Sequence, residues 1–234
     1  MSLFEIAILA MGVAWAGGIN LYATSAILGI LGASGQLDLP DGMMFVEHPA
    51  VIVIAVAFYV IEFIADKIPA VDSVWDGLHT FIRIPAGALM AAGIMGDVST
   101  EAQALAFVGG GGLATISHSM KAGTRAFINT SPEPFTNIAA SLGEDVLVIA
   151  GLAMALLSPT VFAAFLALFL ILAIWIVPKI FRGIRKVFRF IFGKADVEEG
   201  EDQSVGQSSQ SIKKVEDECF EGNSKKLGHH TDEN

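Results

Sequence analysis

An all-α, polytopic membrane fold of about six transmembrane helices follows from the pattern of this chain. Apolar runs recur at bilayer-spanning length, basic residues fall in every second loop, and a glycine-rich passage occurs twice. Of 234 residues, 53% are hydrophobic and 16% charged, and ten of the 14 Lys and Arg lie after residue 178. A soluble domain carries about a quarter charged residues. The chain therefore divides into an apolar membrane domain, 1–193, and a polar tail, 195–234. About half the acids behind the net charge of −10 lie in that tail, so the net value describes a solvated segment rather than the body. It leaves no basic surface for nucleic acid. The single cysteine, Cys219, gives neither a disulfide framework nor a cysteine-based metal site.

A transmembrane helix needs roughly 20 apolar residues. Span one is read at 3–32; it lacks a basic leader, and its apolar character continues past residue 18, so it reads as a membrane helix and not a cleaved signal. Span two is read at 49–66. It opens on His48-Pro49, and proline suits a first helical position because its missing N–H would be unpaired there. The amphipathic stretch 70–80 precedes span three, 81–97. Val71, Val74, Trp75, Leu78 and Ile82 share one face of it. It reads as a cytoplasmic surface helix whose Asp72, Asp76 and His79 face water. Span four is read at 101–128. Span five, 132–157, has Ser131 placed as its N-cap. Span six is read at 159–179 and is free of charge up to Lys179.

The loops test this order. Lys67 and Arg83 lie between spans two and three, Lys121 and Arg125 near the end of span four, and six Lys and Arg follow span six, from Lys179 to Lys194. The intervening loops at 33–48 and 97–101 carry only acids. Under the positive-inside rule both termini are cytoplasmic, in a cell (cytoplasmic) membrane. Residues 180–194 mix basic and apolar residues at helical spacing, which suits an interfacial helix against anionic lipid headgroups, or an extension of span six. The tail 195–234 has the composition of a disordered, acidic cytoplasmic segment. Its His229-His230 pair is at most a weak metal contact.

The passages AGGINLYATSAILG (16–29) and GGGGLATISHSMKAG (109–123) each join a glycine cluster to small and hydroxylated residues. Glu62 stands thirteen residues after Pro49, and Asp145 thirteen after Pro132. The body thus reads as two halves, 1–97 and 101–179, of three spans each. Because three is odd, the halves are inverted: a 3+3 inverted repeat with glycine- and proline-broken helices. Transporters built this way hold their sites near the midplane, where broken helices meet.

GINLYAT (18–24), HP (48–49), EFIADKIPAVDSVWDGLHTFIRIPAGAL (62–89) and KAGTRAFINTSPEPFTNIAASLGED (121–145) together resemble a family of multi-pass membrane proteins known only as domain of unknown function 4126. The resemblance covers about 10–160. It implies a membrane-embedded fold and leaves the mechanism open.

Charged side chains deep in a bilayer are costly unless paired, cavity-facing or near the interface. Glu62 and Asp66 lie on one face of span two, with Lys67 about 100° around the helix. Lys121 and Arg125 share a face of span four. Glu144 and Asp145 sit half-way along span five. The functional reading is a midplane substrate or ion site. In it Glu62, Glu144 and Asp145 bind a cation or proton, and Arg83, Lys121 and Arg125 pair with them or hold an anionic group. Asn20, Tyr22, Thr24, Thr115, Ser117 and His118 line the cavity, and backbone at Gly17-Gly18 and Gly109–Gly112 approaches the ligand. The structural reading is interhelical pairs and close glycine packing.

No Gly-x-Ser-x-Gly, His-Glu-x-x-His or phosphate-loop signature occurs, so no enzyme, cofactor or metal is expected. The function expected is a small secondary transporter or flippase, with a membrane scaffold recruiting partners through the basic stretch and acidic tail as the alternative. The partners expected are the bilayer, an unidentified small ligand or ion, and a second copy of the chain where small residues pack between subunits.

Overall fold

The computed structural model describes residues 1–129 and 134–183. It has α1 (Leu3–Ile19), α2 (Leu21–Ala33), a 3₁₀ helix (Asp41–Glu47), α3 (Pro49–Ala65), α4 (Pro69–Ile94), α5 (Thr100–Ile128), α6 (Pro134–Leu157) and α7 (Pro159–Gly183). No strand occurs among the described residues. Met1–Ile180 forms one compact unit. The basic stretch beyond Gly183, the tail and Ser131 lie outside the described residues.

Helix α1 is apolar all round and is buried from Gly12 to Ile19, as expected of a helix at the centre of a bundle. Trp15 is its largest anchor, with Phe162, Phe165 and Phe169 of α7 edge-on to it at 5.8, 5.2 and 5.9 Å. Gly12 and Gly151 admit the close approach of α6, because a Cβ on either would strike Ala155 or Trp15. Gly18 does the same for α5, where a Cβ would meet Ser117 and the backbone of Ala114. We expect Gly18→Val to lower stability by about 1–3 kcal/mol through overpacking, as read from denaturant unfolding in detergent.

The outer surface is apolar. Val53, Ile61 and Ile64 of α3, Val146 and Ile149 of α6, and Leu168, Ile171 and Ile174 of α7 are exposed, whereas Glu62, Asp72, Arg83 and Arg125 are buried. That inside-out distribution suits lipid as the surrounding solvent. Three helices, Val71–Ile94, Phe135–Leu157 and Pro159–Gly183, are long and apolar enough to cross a membrane. The 3₁₀ helix with α3, bent by 67°, makes a fourth if taken as one span.

Span one is not a single crossing. Met1, Ile6 and Leu9 share a cavity with Gln36 to Pro40 and with Ile94 and Asp97 at the end of α4. Ile19, by contrast, lies beside Lys121 and Glu144. Helix α2 starts at that inner point and runs back. Its Gly29 and Gly32 pack on Val46 and Glu47, and Gly42 of the same 3₁₀ helix abuts Gly93. So α1 and α2 enter and leave at the same end, turning at Asn20.

Two expectations change with this. The beginning of α1 lies at the end of the α4–α5 turn, whereas Ile180 of α7 packs on Gly123 towards the opposite end. The two ends of this unit therefore lie at opposite ends of the bundle. The glycine-rich passages also differ in form: 16–29 turns back, while 109–123 lies inside the unbroken α5. The six-span inverted repeat is thus not what the described residues display.

The third span differs as well. Residues 69–94 form one helix with Pro85 inside it, so the surface helix 70–80 does not exist separately. Val71, Val74, Leu78 and Ile82 point outward, and Asp72, Asp76 and His79 are buried. The amphipathic stripe is real, but its apolar face meets the outside and its charged face the bundle.

Candidate functional site: a buried charged network

The α4–α5 pair carries the site. The two helices run antiparallel with a sorted seam. At one end, Gly87 and Ala91 of α4 meet Ala114 and Gly110 of α5 with no room for larger side chains. Towards the other end, the same inner stripe of α4 becomes Arg83, His79, Asp76 and Asp72. The matching stripe of α5 becomes His118, Lys121 and Arg125, and ends at Asn129, which donates to Asp72 at 2.6 Å. From Asp72 to Arg83 is about 16 Å of helix at 1.5 Å per residue. The charges thus fill half the seam instead of one plane.

Helices α3 and α6 close the network. Arg83 bridges Glu62 of α3 at 2.6 Å and Asp76 at 2.9 Å. Lys121 sits among four carboxylates, Glu62 at 2.8 Å, Asp66 at 3.4 Å, Glu144 at 3.6 Å and Asp76 at 3.8 Å. Arg125 grips Glu144 of α6 in a two-pronged pair, both contacts 3.0 Å, and reaches Asp66 at 3.1 Å. Such paired forks are among the strongest charge-assisted hydrogen bonds. Its other amino group donates to the carbonyls of Asp66 and Asn137, each at 3.2 Å. These contacts tie α3 to α6 through α5.

The turn at Asn20 meets this network from the side. The Asn20 side chain accepts from the Ala23 backbone N–H at 2.9 Å, which caps α2, and donates to Asp145 at 3.3 Å. Tyr59 donates to the other Asp145 oxygen at 3.2 Å. Thr24 donates to the Asn20 carbonyl at 2.8 Å and so stabilises the turn. The backbone break falls at Asn20, not at Gly17-Gly18, which stay helical.

Two histidines are oriented by their partners. Arg83 donates to Nδ1 of His118, and the Thr80 hydroxyl, already donating to the Asp76 carbonyl, accepts from Nε2. His79 donates from Nδ1 to the Trp75 carbonyl at 2.7 Å, and its Nε2 is hydrogen-bonded with the Tyr22 hydroxyl at 2.9 Å. His118 therefore orients Arg83, and Tyr22 is held by His79 and stacked on Phe58.

The structure brings together Glu62, Arg83, Lys121, Arg125, Glu144, Asp145, Asn20 and His118 from the sequence reading. Tyr22 and Thr24 lie beside them, and Ser117 lines the adjoining cavity with its hydroxyl donating to Ala114. Thr115 does not belong: it is exposed and donates to Gly111 on its own helix. Gly109–Gly112 offer no free backbone because α5 is continuous. Lys67 also stands apart, lying over the Phe63 ring at 3.0 Å; burial lowers its ammonium pKa from the ordinary range. Asp66, Asp72, Asp76, His79, Tyr59, Asn129 and Asn137 are additional members. A signal for three of them was present, since Asp72, Asp76 and His79 recur at helical spacing with Arg83. Nothing local marks Asn129 or Asn137.

A cavity of about 180 Å³ adjoins the network, lined by Lys121, Glu144, Ser117, Thr124, Met120 and Phe169 among others. Among the ion-paired side chains Glu144 is the most open, at 16% exposure against 5% or less for the rest. No group of three or more metal-ligating side chains occurs among the described residues.

A family model described as a domain of unknown function (DUF4126) matches residues 7–179. No curated protein matches the chain, and no solved structure does.

Proposed function

The chain belongs to the DUF4126 family, and for this member we propose a small secondary transporter whose working site is the buried network, with protons as the coupling ion. One observation carries the reading. Six carboxyl groups, Glu62, Asp66, Asp72, Asp76, Glu144 and Asp145, converge with three cations where a helix turns back inside the bundle. Buried ion pairs are poor stabilisers compared with apolar packing, so a network of this size needs a reason beyond holding helices together. Helix breaks at membrane depth are tolerated where they line a site.

Lys67 and Lys179 lie towards one end of the bundle, and Asp38, Asp41, Asp97 and Glu101 towards the other. The positive-inside rule then assigns the basic end to the cytoplasm and the start of α1 to the far side. The basic stretch from Lys179 onward would rest on anionic headgroups of a cytoplasmic membrane.

Alternating access supplies a test that needs no substrate. Met120 lines the cavity beside Lys121. In a Cys219→Ser background, Met120→Cys should react with a membrane-impermeant maleimide from either face of sealed vesicles. A thiol shielded from both faces would instead support the scaffold reading, in which the network is static and the tail recruits partners.

A further inference from the structure

We propose that water is a ligand of this network, in a hydrated inlet that runs from the Asn129–Asp72 end of the α4–α5 seam inward to Arg83 and Glu62. The inlet rests on the transporter reading for its use. It deepens that reading by giving the coupling proton a route and a side of entry.

The ion pairs do not complete the hydrogen bonding of their own side chains. Four acceptors have no hydrogen-bond partner among the described residues: Oε2 of Glu62, Oδ1 of Asp66, Oδ1 of Asp72 and Oδ2 of Asp76. Two donors have none either, Nε of Arg83 and Nδ2 of Asn137, and nor has the Ser141 hydroxyl, which can do both. All seven side chains are 3% exposed or less. The sign of each donor is settled by chemistry. A guanidinium N–H can only donate, and Arg125 approaches Oδ1 of Asn137 at 3.5 Å, which leaves the amino end of that amide free.

This mixture selects the ligand. A bound cation would serve the acceptors and leave Arg83 and Asn137 unmet. An anion would do the reverse. Water both donates and accepts, and a buried water makes about three hydrogen bonds to polar groups of this kind. The seven atoms belong to α3, α4 and α6, the helices that the cations of α5 tie together. Asp72 lies in the first turn of α4, and half-buried Asn129 caps the end of α5, so this end of the seam reaches the edge of the bundle. The other end closes where Gly87 and Ala91 meet Gly110 and Ala114, with no side chain that could hold water. The cavity beside Lys121 and Glu144 gives room at the inner end. Its 180 Å³ corresponds to about six waters at their liquid volume. Its wall carries one charge of each sign, which favours neither a cation nor an anion. A proton moving along such a chain makes one O–H bond on a water or carboxyl oxygen as the next one breaks, so no further reactant is consumed.

Silver ion, which is small, hydrated and reactive towards thiolates, probes the inlet. Ser141→Cys and Asn137→Cys place thiols on its α6 wall. Val148→Cys places one two turns further along α6, at a fully buried apolar position. Each variant of the full chain, in a Cys219→Ser background, is exposed to silver nitrate in chloride-free sealed vesicles of either orientation. The remaining thiol is then counted with a maleimide after denaturation. Silver added at the basic end should consume Asn137→Cys fastest and Ser141→Cys next. Both should exceed Val148→Cys by about tenfold or more, because a thiol in apolar surroundings keeps its proton and stays inert. Asn137→Cys and Ser141→Cys as slow as Val148→Cys would overturn the inlet. Faster reaction from the acidic end would overturn the side of entry. Reactive inlet thiols with Met120→Cys shielded from both faces would sustain the inlet and overturn the transporter reading.

Discussion

Replacing Arg83 with methionine should cost the protein about 3–5 kcal/mol, the range found when one partner of a buried ion pair is removed. Arg83 is 0% exposed. It bonds Glu62 and Asp76 on two different helices and also contacts His118. Its loss leaves two buried carboxylates short of a partner and frees His118 to rotate. Urea unfolding in detergent, followed by tryptophan fluorescence, reads the loss directly. Adding Glu62→Gln to Arg83→Met should recover a large part of it, because the second change removes one orphaned charge. A cost for Arg83→Met below about 1 kcal/mol, the value of a solvent-exposed pair, would mean that Glu62 and Asp76 already carry protons without the guanidinium. The double variant separates the two cases: it then gains nothing over the single one.

Helix α4 shows how much of this was readable in the chain and where the reading turned. Hydropathy and proline placement set the helix starts well, as at Pro49 and Thr100. The stripe of Val71, Val74, Leu78 and Ile82 was also legible, yet its direction was not. In water an apolar stripe packs inward and acids face out; in lipid both preferences reverse. Sequence spacing fixes which residues share a face but not which solvent that face meets. The acids at 72 and 76 looked like surface residues only because a run of charges next to a loop usually is one.

That Glu62, Glu144 and Asp145 would be matched by Arg83, Lys121 and Arg125 followed from the expense of unpaired charge in a bilayer, but which acid meets which cation did not. The partners across α5 did not, because Asn129 and Asn137 have no charge to balance. The turn at Asn20 was hidden for a similar reason. Two adjacent glycines at 17 and 18 advertised flexibility, but both stay helical, and Gly18 serves close packing against Ser117 and Ala114. The break comes from an asparagine two residues later, whose side chain caps the next helix.

That asparagine yields the second large effect expected. Asn20→Leu keeps the branching of the side chain and removes both of its hydrogen bonds. The Ala23 N–H is left buried without its acceptor, and Asp145 loses a donor. An unsatisfied buried group costs about 1–3 kcal/mol, so with the weakened carboxylate contact the total expected is about 2–4 kcal/mol. Asn20→Ser divides the two contributions. Serine is as good a cap as asparagine, so the α2 start should survive, while the shorter side chain no longer reaches Asp145. If the cap dominates, Asn20→Ser will unfold close to wild type and Asn20→Leu far below it. If the Asp145 contact dominates, the two variants will fall together, and Asp145→Asn will reproduce the loss. Labelling of Met120→Cys in the Asn20→Ser background adds a functional readout. The turn then keeps its fold but is uncoupled from the charged network. A change in accessibility from one face alone would tie the movement of the site to the bond between Asn20 and Asp145.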